Sequence, residues 1–293
     1  MLSQNPRRRL ATVSLAFLML VVASAAAAGI VVTREFKSAA LDRTWTYAVY
    51  LPTGYESSNL RYPVLYLLHG NGGNLYQWVN LGIQQTADAL ISNGDMPPTV
   101  IVMPDAGTSW FVDRKEKMET AMITELIPEV ERSLRTLTSR DGRLVAGLSM
   151  GGYGAMRFAL KYPDMFVAAA LLSPAIYNPE PPEKSSARSV GVFGSPDYDA
   201  AVWKSLNYPA LWGDYLAKKR PVPMYINSGD DDEFFIESEA VQFYELLRKN
   251  KQPAELRIVN GAHERAVWAS TIGDAMKYVF RYAARPALMA PMR

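Results

Sequence analysis

Leu144-Val145-Ala146-Gly147-Leu148-Ser149-Met150-Gly151-Gly152 joins a short apolar run to a glycine-rich segment that leads into helix formers as far as Lys161. Leu144 to Leu148 reads as a strand buried on both faces, and Gly152 to Lys161 as a helix closed by Tyr162-Pro163. Between them, Gly147-x-Ser149-x-Gly151 has the form of a sharp strand-to-helix turn that lifts a serine hydroxyl off the strand end. The flanking positions are small because such a turn crowds its neighbours. Three fixed residues at about 7% usage recur by chance in roughly one chain in ten of this length, so the weight lies on the strand–turn–helix context rather than on the bare pattern.

Outward from this turn, strands alternate with helices. Ile30 to Phe36 and Thr44 to Leu51 read as partly alternating strands. Val64 to Leu68, Val100 to Met103, Val167 to Leu172, Met224 to Asn227 and Glu255 to Val259 read as further strands. Helical spacing covers Ile83 to Ile91, Glu116 to Leu137 with Pro128 as a kink, Ile236 to Lys249, and Arg265 to Tyr282. This order predicts an α/β fold with a mainly parallel central sheet and helices on both faces. Residues 173–220 are rich in Pro, Tyr, Trp, Asn and Ser and read as an insertion over one edge of the sheet; the tail after Ala284 reads as loose.

The chain has 293 residues, 31 basic and 29 acidic, with a formal net charge of +2. Arg7, Arg8 and Arg9 are the only charges in residues 1–28, so the remainder carries 28 basic and 29 acidic residues. A near-neutral body offers no electrostatic footprint for nucleic acid. Residues 1–28 have the layout of an export signal: a basic start, an uncharged stretch from Leu10, and a small-residue end from Ala23 that suits cleavage after Ala28. The uncharged stretch is also long enough for a membrane anchor. The small-residue end favours cleavage, which predicts a periplasmic or secreted domain at residues 29–293 without stable membrane association. There is no cysteine, which excludes disulfides, thiolate metal centres, cysteine nucleophiles and a lipid-bearing cysteine. Two separated histidines without cysteine make a metal site unexpected, and no cofactor is expected. Gly70-x-Gly72 does not extend to a dinucleotide fingerprint, since position 75 is Leu75.

Serine needs a positioned base to act as a nucleophile. Only His69 and His263 are available. His263 lies in Asn260-Gly261-Ala262-His263-Glu264, between the last strand and the last helix, and is the candidate base. A base needs an acid to hold its tautomer. Ser228-Gly229-Asp230-Asp231-Asp232-Glu233 follows the strand at Met224, and the chain order Ser, Asp, His is that of α/β-hydrolases. Asp232 is the first choice for the acid, with Asp231 second and Asp230 third. His69 opens His69-Gly70-Asn71-Gly72-Gly73 and reads as structural. The loop's backbone N–H groups, Asn71 above all, join that of Met150 as candidate oxyanion donors. Trp78, Trp110 and Trp203, with Tyr177 and Trp212, lie in loops or the insertion, where they either stack on substrate or pack beneath the loops.

The set Leu67-Leu68-His69-Gly70-x-Gly72-Gly73, Met103-Pro104-Asp105, Gly147-Leu148-Ser149-Met150-Gly151-Gly152, Gly229-x-x-Asp232 and Gly261-x-His263 resembles the esterase D-type family of α/β-hydrolases. That family holds feruloyl and acetyl-xylan esterases, S-formylglutathione hydrolases, enterochelin esterases and antigen 85-type acyltransferases. The likeness runs from about Ile30 to Tyr282. It implies Ser149 as nucleophile, His263 as base, Asp232 as acid, and Met150 and Asn71 as oxyanion donors. The expected activity is that of an exported serine carboxylesterase acting on a small-molecule or polysaccharide-linked ester. An acyltransferase, an S-formylglutathione hydrolase and a silent hydrolase-fold binding protein are the alternatives. An intact serine, base and acid speak against the last.

Overall fold

The structure is a computed structural model that describes residues 28–288. The export segment read into residues 1–28 therefore lies, apart from Ala28, outside the described residues. Eight strands form one sheet: β1 (Ile30–Ser38), β2 (Arg43–Leu51), β3 (Val64–Leu68), β4 (Val100–Pro104), β5 (Arg143–Leu148), β6 (Ala168–Leu172), β7 (Met224–Gly229) and β8 (Ala254–Val259). Their order across the sheet is β1-β2-β4-β3-β5-β6-β7-β8. β3 to β8 run parallel, while β1 and β2 pair antiparallel with each other and β2 pairs antiparallel with β4. This is the α/β-hydrolase arrangement expected from the sequence.

The helices are α1 (Gln77–Asn80), α2 (Ile83–Ser92), α3 (Met118–Thr120), α4 (Ile127–Ser133), α5 (Met150–Lys161), α6 (Ala200–Leu206), α7 (Tyr208–Ala217), α8 (Ile236–Lys249) and α9 (Arg265–Phe280). Among the described residues none is long and apolar enough to cross a membrane. β3, β4 and β6 are buried at every position, which is why their sequences are apolar without alternation. Alternate residues still serve different cores. Val64, Tyr66, Leu68, Val145 and Ile226 face α5 and α8, whereas Leu65, Leu67, Ala146, Leu148 and Tyr225 face α2 and α9. β1 and β8 close the sheet, and their charged residues, Arg34, Glu35, Lys37, Glu255 and Arg257, protect those edges from further pairing.

Three expectations need correction. The segment at 173–220 does not cover an edge. It is the crossover between the interior strands β6 and β7, and its helices α6 and α7 lie over one face, with α7 packed on α5. Trp203 inserts between Tyr153 of α5, Phe193 and Trp110, with ring centroids 4.8–5.9 Å away. Every residue of α5 from Met150 to Leu160 is consequently buried. The helix expected over Glu116 to Leu137 ends at Ser133. Pro128 cannot donate to the carbonyl four residues back, and the preceding turn, Ala121–Leu126, is wound wider as a π-helix. Leu134 then turns extended, because Arg135 and Leu137 bond the main chain of Tyr62. The tail is tied down as far as Ala287, which exchanges main-chain hydrogen bonds with Arg61, while Ala284 N–H donates to Asp141.

Candidate active site

Ser149 sits between β5 and α5 with φ 53° and ψ −117°, a conformation that a residue with a side chain seldom adopts. Its neighbours hold it there. Its N–H donates to Leu172 O at 2.9 Å, and its carbonyl accepts from Tyr153 and Ala175. Gly147 must be glycine: a Cβ there would lie 2.3 Å from Gly151 O, so the chain could not fold back on itself so sharply. The turn presents the Ser149 hydroxyl at the carboxyl ends of the parallel strands, where ligands of open α/β sheets bind.

His263 follows β8, and its Nε2 lies 2.9 Å from Ser149 Oγ. Its Nδ1 lies 2.8 Å from Asp232 Oδ2. The Asp232 side chain is fully buried, and its other oxygen accepts from Phe234 N–H at 3.0 Å. The three acids left open by the sequence are thus told apart by their partners. Asp230 accepts from Gly261 N–H and latches the acid loop to the histidine loop. Asp231 is exposed, and its own N–H donates to Gly261 O. Glu233 accepts from the His263 main chain at 3.1 Å. Only Asp232 meets the imidazole. The two loops approach so closely that a Cβ on Gly229 would lie 2.1 Å from Gly261 O.

Two aromatic residues that the sequence did not single out fix the imidazole plane. Phe234 and Trp268 meet it edge-to-face with centroids 5.1 and 5.0 Å away, and Trp268 Nε1 donates to Ser173 Oγ. The sequence carries no signal for Phe234, an aromatic residue in an acidic turn. Trp268 could be suspected only from its place one turn into α9, on the face toward His263.

His69 is structural, as expected. Ala106 N–H donates to its Nε2 at 2.9 Å, so its proton sits on Nδ1 and is donated to Gly70 O at 2.7 Å. Burial keeps its pKa below the ordinary histidine value, against the Gly70 hydrogen bond and the Asp105 charge. This ring therefore pins the loop beginning at Gly70 to the loop after β4. Gln77, which sequence reasoning missed, fixes the same loop by accepting from Gly70 N–H at 2.7 Å. Of the candidate oxyanion donors, Met150 follows the serine as the first residue of α5, and Asn71 follows Gly70, where a Cβ would lie 3.5 Å from Ser149 Cβ. A cavity of about 550 Å³ opens beside the loop after β4, bordered by Asp105, Thr108, Ser109 and Lys115.

The tryptophans do not form a stacking platform. Trp78, Trp110 and Trp203 are each at most 1% exposed. Trp78 donates to Leu68 O, Trp203 donates to Tyr177 O, and Trp110 lies against Tyr153, Phe193 and Trp203. They serve the core beneath the loops. A tryptophan near a strand end satisfies both its ring area and its N–H by packing inward, and that outcome leaves no sequence mark.

The profile of the "Putative esterase" family matches residues 38–279. Esterase Rv1288 of Mycobacterium tuberculosis is 36% identical over 145 residues, 46% of this chain and 30% of that protein. The Endo-1,4-beta-xylanase/feruloyl esterase of Xylanibacter ruminicola is 36% identical over 156 residues, 50% of this chain and 22% of that protein. The match thus spans less than a third of the length of either relative. An acetyl esterase of Caldicellulosiruptor saccharolyticus is 29% identical over 238 residues, 76% of this chain and 85% of that enzyme. Among solved structures, a ferulic acid esterase superposes with a TM-score of 0.76 at 28% identity, covering 87% of this chain and 99% of that one.

Proposed function

The chain belongs to the "Putative esterase" family, and from that premise we propose that it is a serine carboxylesterase that hydrolyses feruloyl- or acetyl-type esters through an acyl-enzyme on Ser149. The observation that carries this reading is the relay from Asp232 Oδ2 through His263 to Ser149 Oγ, at 2.8 and 2.9 Å. His263 takes the Ser149 proton as Oγ attacks the ester carbonyl. The N–H groups of Met150 and Asn71 receive the oxyanion, each contributing on the order of 3 kcal/mol to the transition state. His263 then gives its proton to the leaving alcohol, and the C–O bond to that alcohol breaks. Water, deprotonated by His263, releases the carboxylic acid and restores Ser149. Asp232 stays ionised and holds the ring with its proton on Nδ1. No cofactor enters this scheme.

Relatives named as feruloyl and acetyl esterases support the choice of acyl group. The segment at residues 1–28, with its basic start, uncharged stretch from Leu10 and small-residue end, supports export, with cleavage after Ala28 and a periplasmic or secreted enzyme as the product. The substrate is then a small or polysaccharide-linked ester outside the cytoplasm.

The test is a panel of methyl ferulate, short p-nitrophenyl esters, acetylated xylan and S-formylglutathione. Hydrolysis of the oxygen esters well above the rate with S-formylglutathione is expected. Turnover of the thioester alone, or of none of the panel, would overturn the proposal. Within the acid loop, Asp232→Asn is expected to lower kcat by about 10³–10⁴-fold, because the amide stabilises the wrong imidazole tautomer. Asp230→Asn and Asp231→Asn should each cost less than tenfold. A steady-state comparison of the three variants checks the assignment, and a larger loss at either neighbour would move the acid.

A further inference from the structure

Phe235 combines two costs that folding does not explain. The residue is 66% exposed, and its backbone has φ 58°. Bulky residues seldom occupy that left-handed region, which glycine or asparagine adopts readily. The turn does not need the ring. It is closed by main-chain bonds, Phe235 N–H to Asp232 O and Ser238 N–H to Phe235 O, that any residue could make. Strain and exposure in one residue, three positions after the proposed catalytic acid, point to a role outside the fold.

The surroundings say which role. Phe234 lies 5.1 Å from the His263 ring. Lys184, an exposed residue of the β6–β7 crossover, places Nζ 5.3 Å from the Phe234 ring centroid and 5.9 Å from that of Phe235. The two rings and the ammonium thus present one surface that begins at the imidazole. Lys184 makes no ion pair among the described residues. Because His263 Nε2 must protonate the departing oxygen, the alcohol part of an ester leaves on the imidazole side of Ser149. The cavity bordered by Asp105 follows β4, on the other side of β5 and its serine.

We propose that Phe234, Phe235 and Lys184 form a leaving-group site for a glycosyl alcohol, with an apolar C–H face of the sugar against the Phe235 ring and its hydroxyl oxygens accepting from the Lys184 ammonium. The proposal rests on the carboxylesterase reading above. A sugar ring offers both an apolar face and oxygen acceptors, whereas a simple alkyl alcohol leaves the ammonium unused. These residues determine specificity and take no part in proton transfer.

The experiment compares esters that share one acyl group: methyl ferulate, phenyl ferulate and a feruloyl pentoside. Phe235→Ala and Lys184→Ala are each expected to lower kcat/KM for the pentoside about three- to tenfold, chiefly through KM. The values for methyl ferulate should stay unchanged, as should the deacylation rate, since the alcohol has already left. Phe235→Asn suits the left-handed turn and should lose the same selectivity with no fall in Tm. Equal losses on all three esters, or no loss on the pentoside, would overturn the proposal. A loss on phenyl ferulate as large as on the pentoside would overturn the sugar assignment. A wild-type enzyme that cleaves none of the three would instead overturn the carboxylesterase reading itself.

Discussion

Ser149→Ala and His263→Ala are each expected to lower kcat on an oxygen ester by about 10⁴–10⁶-fold, and the double variant should be no worse than the poorer single one. The reason is geometric. With His263 Nε2 2.9 Å from Ser149 Oγ, neither residue has a nucleophilic function without the other. Removing the base leaves a neutral hydroxyl, and removing the hydroxyl leaves a base with nothing to deprotonate but water. The residual rate should reflect the Met150 and Asn71 donors and substrate binding alone. Pre-steady-state traces with a chromogenic ester check this, because the burst of alcohol should vanish in both variants. Near-wild-type turnover in His263→Ala would remove the basis of the mechanism.

The second large effect is on stability. Arg157→Met should destabilise the fold by about 3 kcal/mol, because it takes from a buried carboxylate its buried charged partner and leaves only the partly exposed Lys161. Arg157 is 1% exposed, and its guanidinium donates to Glu119 at 2.6 Å and to Leu206 O. Glu119, itself 3% exposed, also accepts from Lys161 and from Tyr162, the latter at 2.7 Å. The double variant Glu119→Leu/Arg157→Met should recover most of the loss, since it removes both charges together.

This network also sets a dependence on pH. Burial alone would raise the Glu119 pKa. The Arg157 charge and the hydrogen bonds from Lys161, Arg157 and Tyr162 outweigh it and hold the carboxyl below the ordinary value of 4.5. A folded-state pKa below the unfolded one means that the stabilisation is complete above about pH 4.5 and is lost as pH falls through the folded value. Urea titrations across pH 3–6 should show that loss in the wild type and lack this component in the double variant. Equal slopes would remove Glu119 from the account.

How far the sequence could be read follows from where each signal resides. The strands that become β3, β4 and β6 were legible because burial on both faces leaves no place for polar residues. The turn at Ser149 was legible because only small neighbours permit it. Ser149, His263 and a loop of acids could be named from chain order. Choosing among those acids depended on which one the latch between Asp230 and Gly261 turns inward, and that is a contact across 31 residues. The tryptophans were left between two readings for a related reason: a large ring near a strand end looks alike whether it faces a ligand or the interior. The β6–β7 crossover was misplaced because its aromatic residues follow no helical period. They are spaced to meet α5, which a one-dimensional pattern cannot display. The length of the helix before β5 was misjudged because its end is dictated by Tyr62, some seventy residues earlier.

The crossover's position has a consequence for engineering. Segments between β6 and β7 are natural candidates for exchange between homologues to alter substrate range. Here Trp203 and Phe193 form the outer wall of α5, the helix that follows Ser149, through Tyr153. A transplanted segment without that pair would uncover the support of the proposed nucleophile. Exchanges would have to stop at the Lys184 end of the segment, or carry Tyr153 and Trp110 with them, to keep the graft from becoming a folding defect.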